Sequence, residues 1–239
     1  MRRCIVVMLA LLVAPVFTAR GETVILTPVH DNTLFEDADG DTSNGSGPNV
    51  FCGRNSQGRI RRALVMFDVS ALPPSAVIDS VELELHMAIS SDAGPRVIAL
   101  HRVLAPWGEG ASVSSGGQGA PAQTGDATWL YSSYPSSFWS EPGGDFAAGS
   151  SDTTTVPQAE GDYAWRSEVM ADDVRGWTSQ ASPNFGWILV GDESVPNTAR
   201  RFDSRESTTP SFRPRLLIHY SVPTDVVPMT WGKIKIRYR

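Results

Sequence analysis

After its first twenty residues the chain reads as short apolar runs between clusters of Gly, Pro, Asp and Ser, with an internal spacing of two. The segment Val81-Glu82-Leu83-Glu84-Leu85-His86-Met87 alternates without a break. That predicts a strand with Val81, Leu83, Leu85 and Met87 on a core and Glu82, Glu84 and His86 toward solvent. From Arg62 to Val69 the run Ala63-Leu64-Val65-Met66-Phe67 has no polar side, which predicts a strand covered on both faces. Further strands are expected at Val24 to Leu26, Val97 to Leu104, Asn184 to Val190 and Arg215 to Tyr220. Helical spacing occurs once, between Ser167 and Gln180, where Val169, Met170, Val174 and Trp177 fall near one face and Gly176 weakens the end. Leu72-Pro73-Pro74 is a rigid turn, since proline fixes φ and donates no hydrogen bond. The pattern predicts an all-β fold, a β-sandwich of two antiparallel sheets with at most one or two short helices.

Residues 105–162 interrupt the pattern with a long insertion rich in Gly, Ser, Thr and Pro. It also holds Trp107, Trp129, Tyr131, Tyr134, Phe138 and Trp139, too much aromatic surface for a disordered spacer. The insertion is therefore expected to pack on the sandwich as a functional loop.

Arg2 and Arg3, the apolar run Ile5 to Phe17 and the small residues Ala19 and Gly21 read as a signal peptide over 1–21, cut before Glu22. The run is shorter than the roughly 20 residues a bilayer span needs, and no later segment is apolar enough, so a secreted or cell-surface protein without a transmembrane segment is expected. Losing Arg2, Arg3 and Arg20 takes the formal charge from −6 to −9, and the basic tail (Lys233, Lys235, Arg237, Arg239) leaves residues 22–230 at −13. Such a body repels phosphate, so nucleic acid is not an expected partner. Cys4 belongs to the leader and Cys52 is left alone. No internal disulfide is then possible, and Cys52 is expected as a small buried apolar residue in a strand. Residues 222–239 read as a linker and a tail, TWGKIKIRYR, whose alternation suits a strand with one basic face or an attachment signal.

Several landmarks in order, DNTLFED (31–37), RRALVMFDVSALPPSAVIDSVELELH, PWGEG (106–110), DATW (126–129), PGGDF (142–146), NFGWILVG (184–191), FDSRE (202–206) and RPRLLIHY, resemble the DNRLRE-domain family. These are secreted β-sandwich modules related to disaggregatase-associated repeats and to a carbohydrate-binding-module group. The resemblance covers about residues 22–221 and implies a jelly-roll sandwich and, in some members, polysaccharide binding. Phe35 stands where the family's motif has its second arginine, so no role of that arginine transfers.

Three groups are candidates for chemistry. Asp37, Asp39 and Asp41 alternate along a turn containing Gly40 and could converge on a structural calcium, or form a solvated acidic turn; the spacing is not that of an EF-hand. Arg59 and Arg61, with Arg54 and Arg62 and in reach of Arg200, Arg201 and Arg205, could hold the carboxylates of an acidic glycan, or pair internally with Asp68, Asp203 and Glu206. Tyr131, Tyr134 and Trp139 lie in the polar part of the insertion and could stack on sugar rings, whereas Trp107, Trp129, Trp165, Trp177 and Trp187 sit among motif residues and are expected in the core. His30, His86, His101 and His219 lack metal-ligand spacing, and no nucleophile elbow is present. The expected function is non-catalytic binding of an extracellular or cell-surface polysaccharide, with a surface structural or adhesion role as the alternative and a polysaccharide-degrading enzyme behind both.

Overall fold

The computed structural model describes residues 19–223; most of the predicted leader (1–18) and all of the tail from residue 224 lie outside the described residues. In chain order the strands are β1 (Ala19–Leu26), β2 (Pro28–Phe35), β3 (Thr42–Ser43), β4 (Asn49–Arg54), β5 (Ile60–Phe67), β6 (Val77–Ser90), β7 (Arg96–Arg102), β8 (Ala120–Pro121), β9 (Tyr131–Ser133), β10 (Ser137–Phe138), β11 (Asp152–Val156), β12 (Gly161–Arg166), β13 (Trp187–Val190), β14 (Arg200–Asp203) and β15 (Arg215–Pro223), with one helix, α1 (Glu168–Thr178). No helix among the described residues is long and apolar enough to cross a membrane.

The fold is all-β and its pairings are antiparallel, in a strongly curled sheet. One half runs β1-β15-β6-β14-β4, with β12 on the far side of β6; the other runs β4-β5-β13-β7-β11, with β2 beside β5. β4 belongs to both. Asn49 to Cys52 pair with β14, then Gly53 and Arg54 turn to pair with Arg61 and Ile60 of β5, so the sheet bends through a corner at Gly53.

Side-chain alternation explains which positions are buried. On β6, Val81, Leu83, Leu85 and Met87 all lie in the main core, as their spacing predicts. There they meet Val65 and Phe67 of β5, Leu100 of β7, Trp187 and Leu189 of β13 and Phe202 of β14. The doubly apolar run of β5 is also accounted for. Ala63, Val65 and Phe67 face that core, while Leu64 faces a second one built with Leu34, Val103, Trp129, Trp139 and Ile188 under the insertion. The insertion thus covers the outer face of half a sheet, which is why strands β5 and β13 have no polar side. Of the tryptophans expected in the core, Trp165, Trp187, Trp177 and Trp129 are buried, and Trp107 is partly buried against the second core.

Helix α1 starts one residue inside the predicted span because Ser167 is its N-cap, with Oγ accepting the Met170 amide at 3.1 Å. Met170, Ala171, Val174 and Trp177 are its buried residues, and Val169 is exposed.

Two expectations need correction. His86 is not on a solvent face: it is 7% exposed, its Nδ1 lies 2.9 Å from Asp203 Oδ2, and its ring stacks on Phe212 at 3.7 Å between centroids. The covering ring, Phe212, comes from the loop before β15, and Asp203 ends the neighbouring strand β14; strand periodicity within β6 registers neither. The irregular insertion is also shorter than 105–162, since Asp152–Val156 and Gly161–Arg166 are strands on β7 and β6.

Candidate functional site

Most arginines of the described body have found a carboxylate. Arg62 pairs with Glu193, Arg96 with Asp92 and Asp192, Arg102 with Asp173, Arg166 with Glu82, Arg175 with Glu168 and Asp172, Arg200 with Asp92, Arg205 with Glu109 and Glu206, and Arg215 with Glu84. Besides Arg213, which donates to the Ser207 carbonyl at 2.9 Å, Arg54, Arg59, Arg61 and Arg201 form no such pair among the described residues. All four lie where β14, β4 and β5 meet, because Arg201 is opposite Phe51, Arg54 opposite Ile60 and Arg61 opposite Gly53.

Two of them share a cleft. Arg61 and Arg201 line a depression of about 400 Å3 together with Phe51, Ile89, Gln118 and Asn197. Adjacent residues of a strand face opposite ways, and β14 uses this to separate two arginines. Arg200 points inward, is 0% exposed and is bound to Asp92 at 2.7 Å; Arg201 lies on the cleft side, its Nε buried without a partner. Arg61 is buried, 3% exposed in the cleft wall, held by the carbonyls of Gly117 (3.1 Å) and Ile60 (2.8 Å) and lying 4.8 Å over the Phe35 ring. Burial, and then the neighbouring Arg59, pull the Arg61 guanidinium down to about 10, which still leaves it cationic at neutral pH. The cleft therefore offers two cations beside the apolar surfaces of Phe51 and Ile89, with side-chain amides on the rim. Carboxylates or sulfates on a partly apolar ring fit that chemistry.

Arg59 does not join this cleft. It is exposed and lines a shallower groove with Glu36, Asp37 and Trp129. Arg54 has its Nε buried without a hydrogen bond. The remaining arginine of the sequence cluster, Arg62, is neutralised by Glu193 at 2.8 Å and lies 5.0 Å over the Trp129 ring.

The predicted aromatic platform is only partly realised. Tyr131 and Tyr134 are half-buried and belong to the β9–β10 hairpin, with Tyr131 stacked on the exposed Phe138 at 4.2 Å and edge-on to Tyr134 at 5.2 Å. Trp139 is a correction. It is 5% exposed, sits in the second core, and gives its Nε1–H to the Thr128 carbonyl at 2.9 Å. A buried indole bonded in this way has no face for a sugar; Phe138, not singled out from the sequence, takes its place in the exposed patch.

Asp37, Asp39 and Asp41 do not converge. Asp37 Oδ1 accepts the amides of Gly40 and Asp41, closing its own turn, while Asp39 and Asp41 are exposed. Among the described residues no three His, Cys, Asp or Glu side chains form a metal-holding group. Cys52 is fully buried on β4, and burial pushes its thiol up to about 12.

Sequence reasoning missed Gln118 and Asn197, which reach the cleft from two loops. Arg201 belongs to the basic group visible in the sequence, but its separation from Arg200 onto the cleft side is seen only in the structure. The chain matches no family model, and none of the curated proteins is similar enough to count as a match.

Proposed function

We propose that this protein is a secreted, non-catalytic binding module of jelly-roll type that takes up an acidic extracellular polysaccharide in the Arg61–Arg201 cleft. One observation carries the reading: in a chain with more acids than bases, two arginines of one cleft have no carboxylate partner among the described residues. Charge-assisted bonds from a guanidinium to a ligand carboxylate are the strong polar contacts such a site can make, about 1.5–3 kcal/mol each. Phe51 and Ile89 supply the apolar floor against which a sugar ring can rest. The Tyr131–Phe138 hairpin is a separate patch that a longer chain could reach. The landmarks resembling the DNRLRE-domain family agree with a module of this kind, and the predicted leader with its export.

Affinity electrophoresis through gels containing alginate, polygalacturonate, heparin or neutral dextran tests the proposal. Migration should be retarded by one of the anionic polymers and not by dextran. The Arg201→Ala variant should bind that polymer roughly 10- to 100-fold more weakly, with Arg201→Lys in between because it keeps the charge and loses the fork. Retardation by none of the anionic polymers, or equal retardation of wild type and Arg201→Ala, refutes it.

A further inference from the structure

Three segments far apart in the chain meet around Arg205: the middle of β2 at Asp31, the PWGEG turn at Glu109, and the loop after β14. The Arg205 amide donates to Asp31 Oδ2 at 2.7 Å, and its guanidinium lies 3.4 Å from Glu109 Oε1 and 3.1 Å from Glu206 Oε1. Glu109 Oε1 also accepts the Asp31 amide at 2.9 Å, while Oε2 lies 3.3 Å from His30 Nδ1. The Glu109 carbonyl accepts from Asn32 Nδ2 at 2.8 Å. Glu109 is thus the point at which the start of the insertion is tied to β2.

Three carboxyls share one arginine, and their demand for donors is not met. Asp31 is 1% exposed, and its Oδ1 has no hydrogen-bond donor; the same holds for Glu206 Oε2, also shut off from water. A buried carboxylate oxygen without a donor is among the costliest polar states in a protein. One proton on Asp31 removes a charge from the cluster, and with it most of the cost of leaving a buried carboxylate oxygen without a donor. Nearby acids do not compete for it. Asp126 accepts the amides of Gln123 (2.6 Å) and Ser112 (3.3 Å), and Asp203 is committed to His86 and Ser207. Across the ladder on β5, Asp31 faces the apolar Val65.

We propose that Asp31, Glu109, Glu206 and Arg205 form a proton-operated latch, in which Asp31 holds a proton in the folded protein and its loss loosens the attachment of the insertion at Glu109. The direction of the local electrostatics agrees. Burial, and then the Glu206 carboxylate, push Asp31 well above the usual carboxylate range; the Arg205 amide opposes this and Glu109 adds to it. Burial also raises Glu206, against the pull of Arg205 and with the help of Glu109. The titratable and charged groups around the latch are His30 and Asp31 on β2, Glu109 on the insertion, and Arg205 and Glu206 after β14. The latch stands whether or not the cleft binds a glycan.

The sign follows from linkage. A folded-state value above the unfolded one gives stability that is full below about pH 4 and lost as the pH rises through the folded value. Melting temperatures of wild type and Asp31→Asn from pH 5 to 8.5 test it, because Asn keeps the oxygen for the Arg205 amide and places an N–H where the proton would be. The variant's melting temperature relative to wild type should climb by about 3 °C per pH unit as the pH rises toward the folded value of Asp31, so that any deficit at pH 5 has shrunk or reversed by pH 8. At that pH, amides of residues 105–119 should exchange more slowly in Asp31→Asn than in wild type, the equal pH cancelling intrinsic rates. Glu206→Gln, as a second variant, should flatten the wild-type slope. Glu109→Gln, with both oxygens partnered, should lose stability at every pH. A constant deficit for Asp31→Asn together with an unchanged slope for Glu206→Gln overturns the latch. So does a rise in the wild-type midpoint with calcium at pH 8 that Asp31→Asn lacks, since a cation would then occupy the proton's place.

Discussion

Replacing Asp92 by Asn should be among the most damaging single changes on the surface of this protein, although the residue sits at a turn. Asp92 is the carboxylate bound to Arg200, whose side chain is 0% exposed while that of Asp92 is 18% exposed. Around the guanidinium lie the carbonyls of Gly94 (2.5 Å), Thr198 (3.2 Å) and Val156 (3.5 Å), and Nε has no partner. Asn keeps the shape of Asp but removes the charge, leaving a buried cation held only by dipoles. Breaking a buried pair from one side costs about 3–5 kcal/mol. Partial exposure of Asp92, and its second tie to Arg96 at 2.5 Å, place this case near 3 kcal/mol. For a domain of this size that lowers the melting temperature by roughly 6–12 °C.

Removing the cation instead should cost less. Arg200→Met replaces the charge by an apolar chain and leaves Asp92 with Arg96, and the double variant should resemble Arg200→Met alone. Urea unfolding of the four proteins reads the comparison, with equal denaturant slopes required for it to hold. Acid adds a second arm. Burial works to raise the Asp92 carboxyl, but hydrogen bonds from Arg200 and then Arg96 outweigh it, and the net value lies below the ordinary 3.8. Its contribution is present above about pH 4 and lost as the pH falls through the lowered folded value, so the deficit of Asp92→Asn should close in strong acid. A deficit under 1 kcal/mol at pH 7, or a larger one for Arg200→Met than for Asp92→Asn, refutes the assignment.

Other outcomes follow from single contacts. Cys52 should stay unlabelled by a thiol reagent in the native protein and react fully in denaturant; rapid native labelling contradicts its burial. Gly45→Ala should destabilise by about 1–3 kcal/mol or more, because its Cβ would lie 1.8 Å from the Glu109 carbonyl oxygen, and urea midpoints would show it. Gly110→Ala combines a φ of +73° with a Cβ 1.6 Å from Asp126 Oδ1 and should be at least as harmful, so a neutral result at either glycine denies the docking of the insertion. Since Asp37 spends an oxygen on its own turn, exchanging calcium for chelator should leave the melting temperature unmoved within about 1 °C, and a larger rise with calcium would restore the acidic turn as a cation site.

What the sequence disclosed was local. The period of two on β6 and the uninterrupted apolar run of β5 are statements about which side of a strand is covered, and both are written in adjacent residues. The Ser167 cap and the apolar spacing after it likewise place α1 within two residues of its ends. The burial of His86 and Trp139 is not legible locally, because Phe212 and the Thr128 carbonyl arrive from loops with no periodicity and Asp203 from the end of a strand more than a hundred residues away. Thr153-Thr154-Thr155-Val156 was a β-branched run hidden in a stretch whose glycines and serines suggested a loop. The arginine cluster was visible as composition, but its sorting into paired and unpaired members was not. That sorting depends on register: a shift of β14 by one residue would bury Arg201 and send Arg200 to the cleft.

Charge balance makes the unpaired arginines informative. With the body between residues 22 and 230 carrying a net −13, carboxylates are in excess, and an arginine without one is not short of candidates. Glu36 and Asp37 act on Arg61 from a distance without pairing with it, while Gly117 and Ile60 carbonyls fix its orientation. The same insertion whose foot is tied down at Glu109 thus holds one wall of the cleft at Gly117. If an anion enters there, its binding must work against the repulsion of the surrounding acids as well as with the two arginines. Salt screens the distant acids more than the partly buried contact pairs. Affinity for an anionic glycan should therefore fall less steeply with ionic strength than for a basic protein using the same number of contacts, and a slope near that of exposed lysine-rich binders would place the ligand outside the cleft.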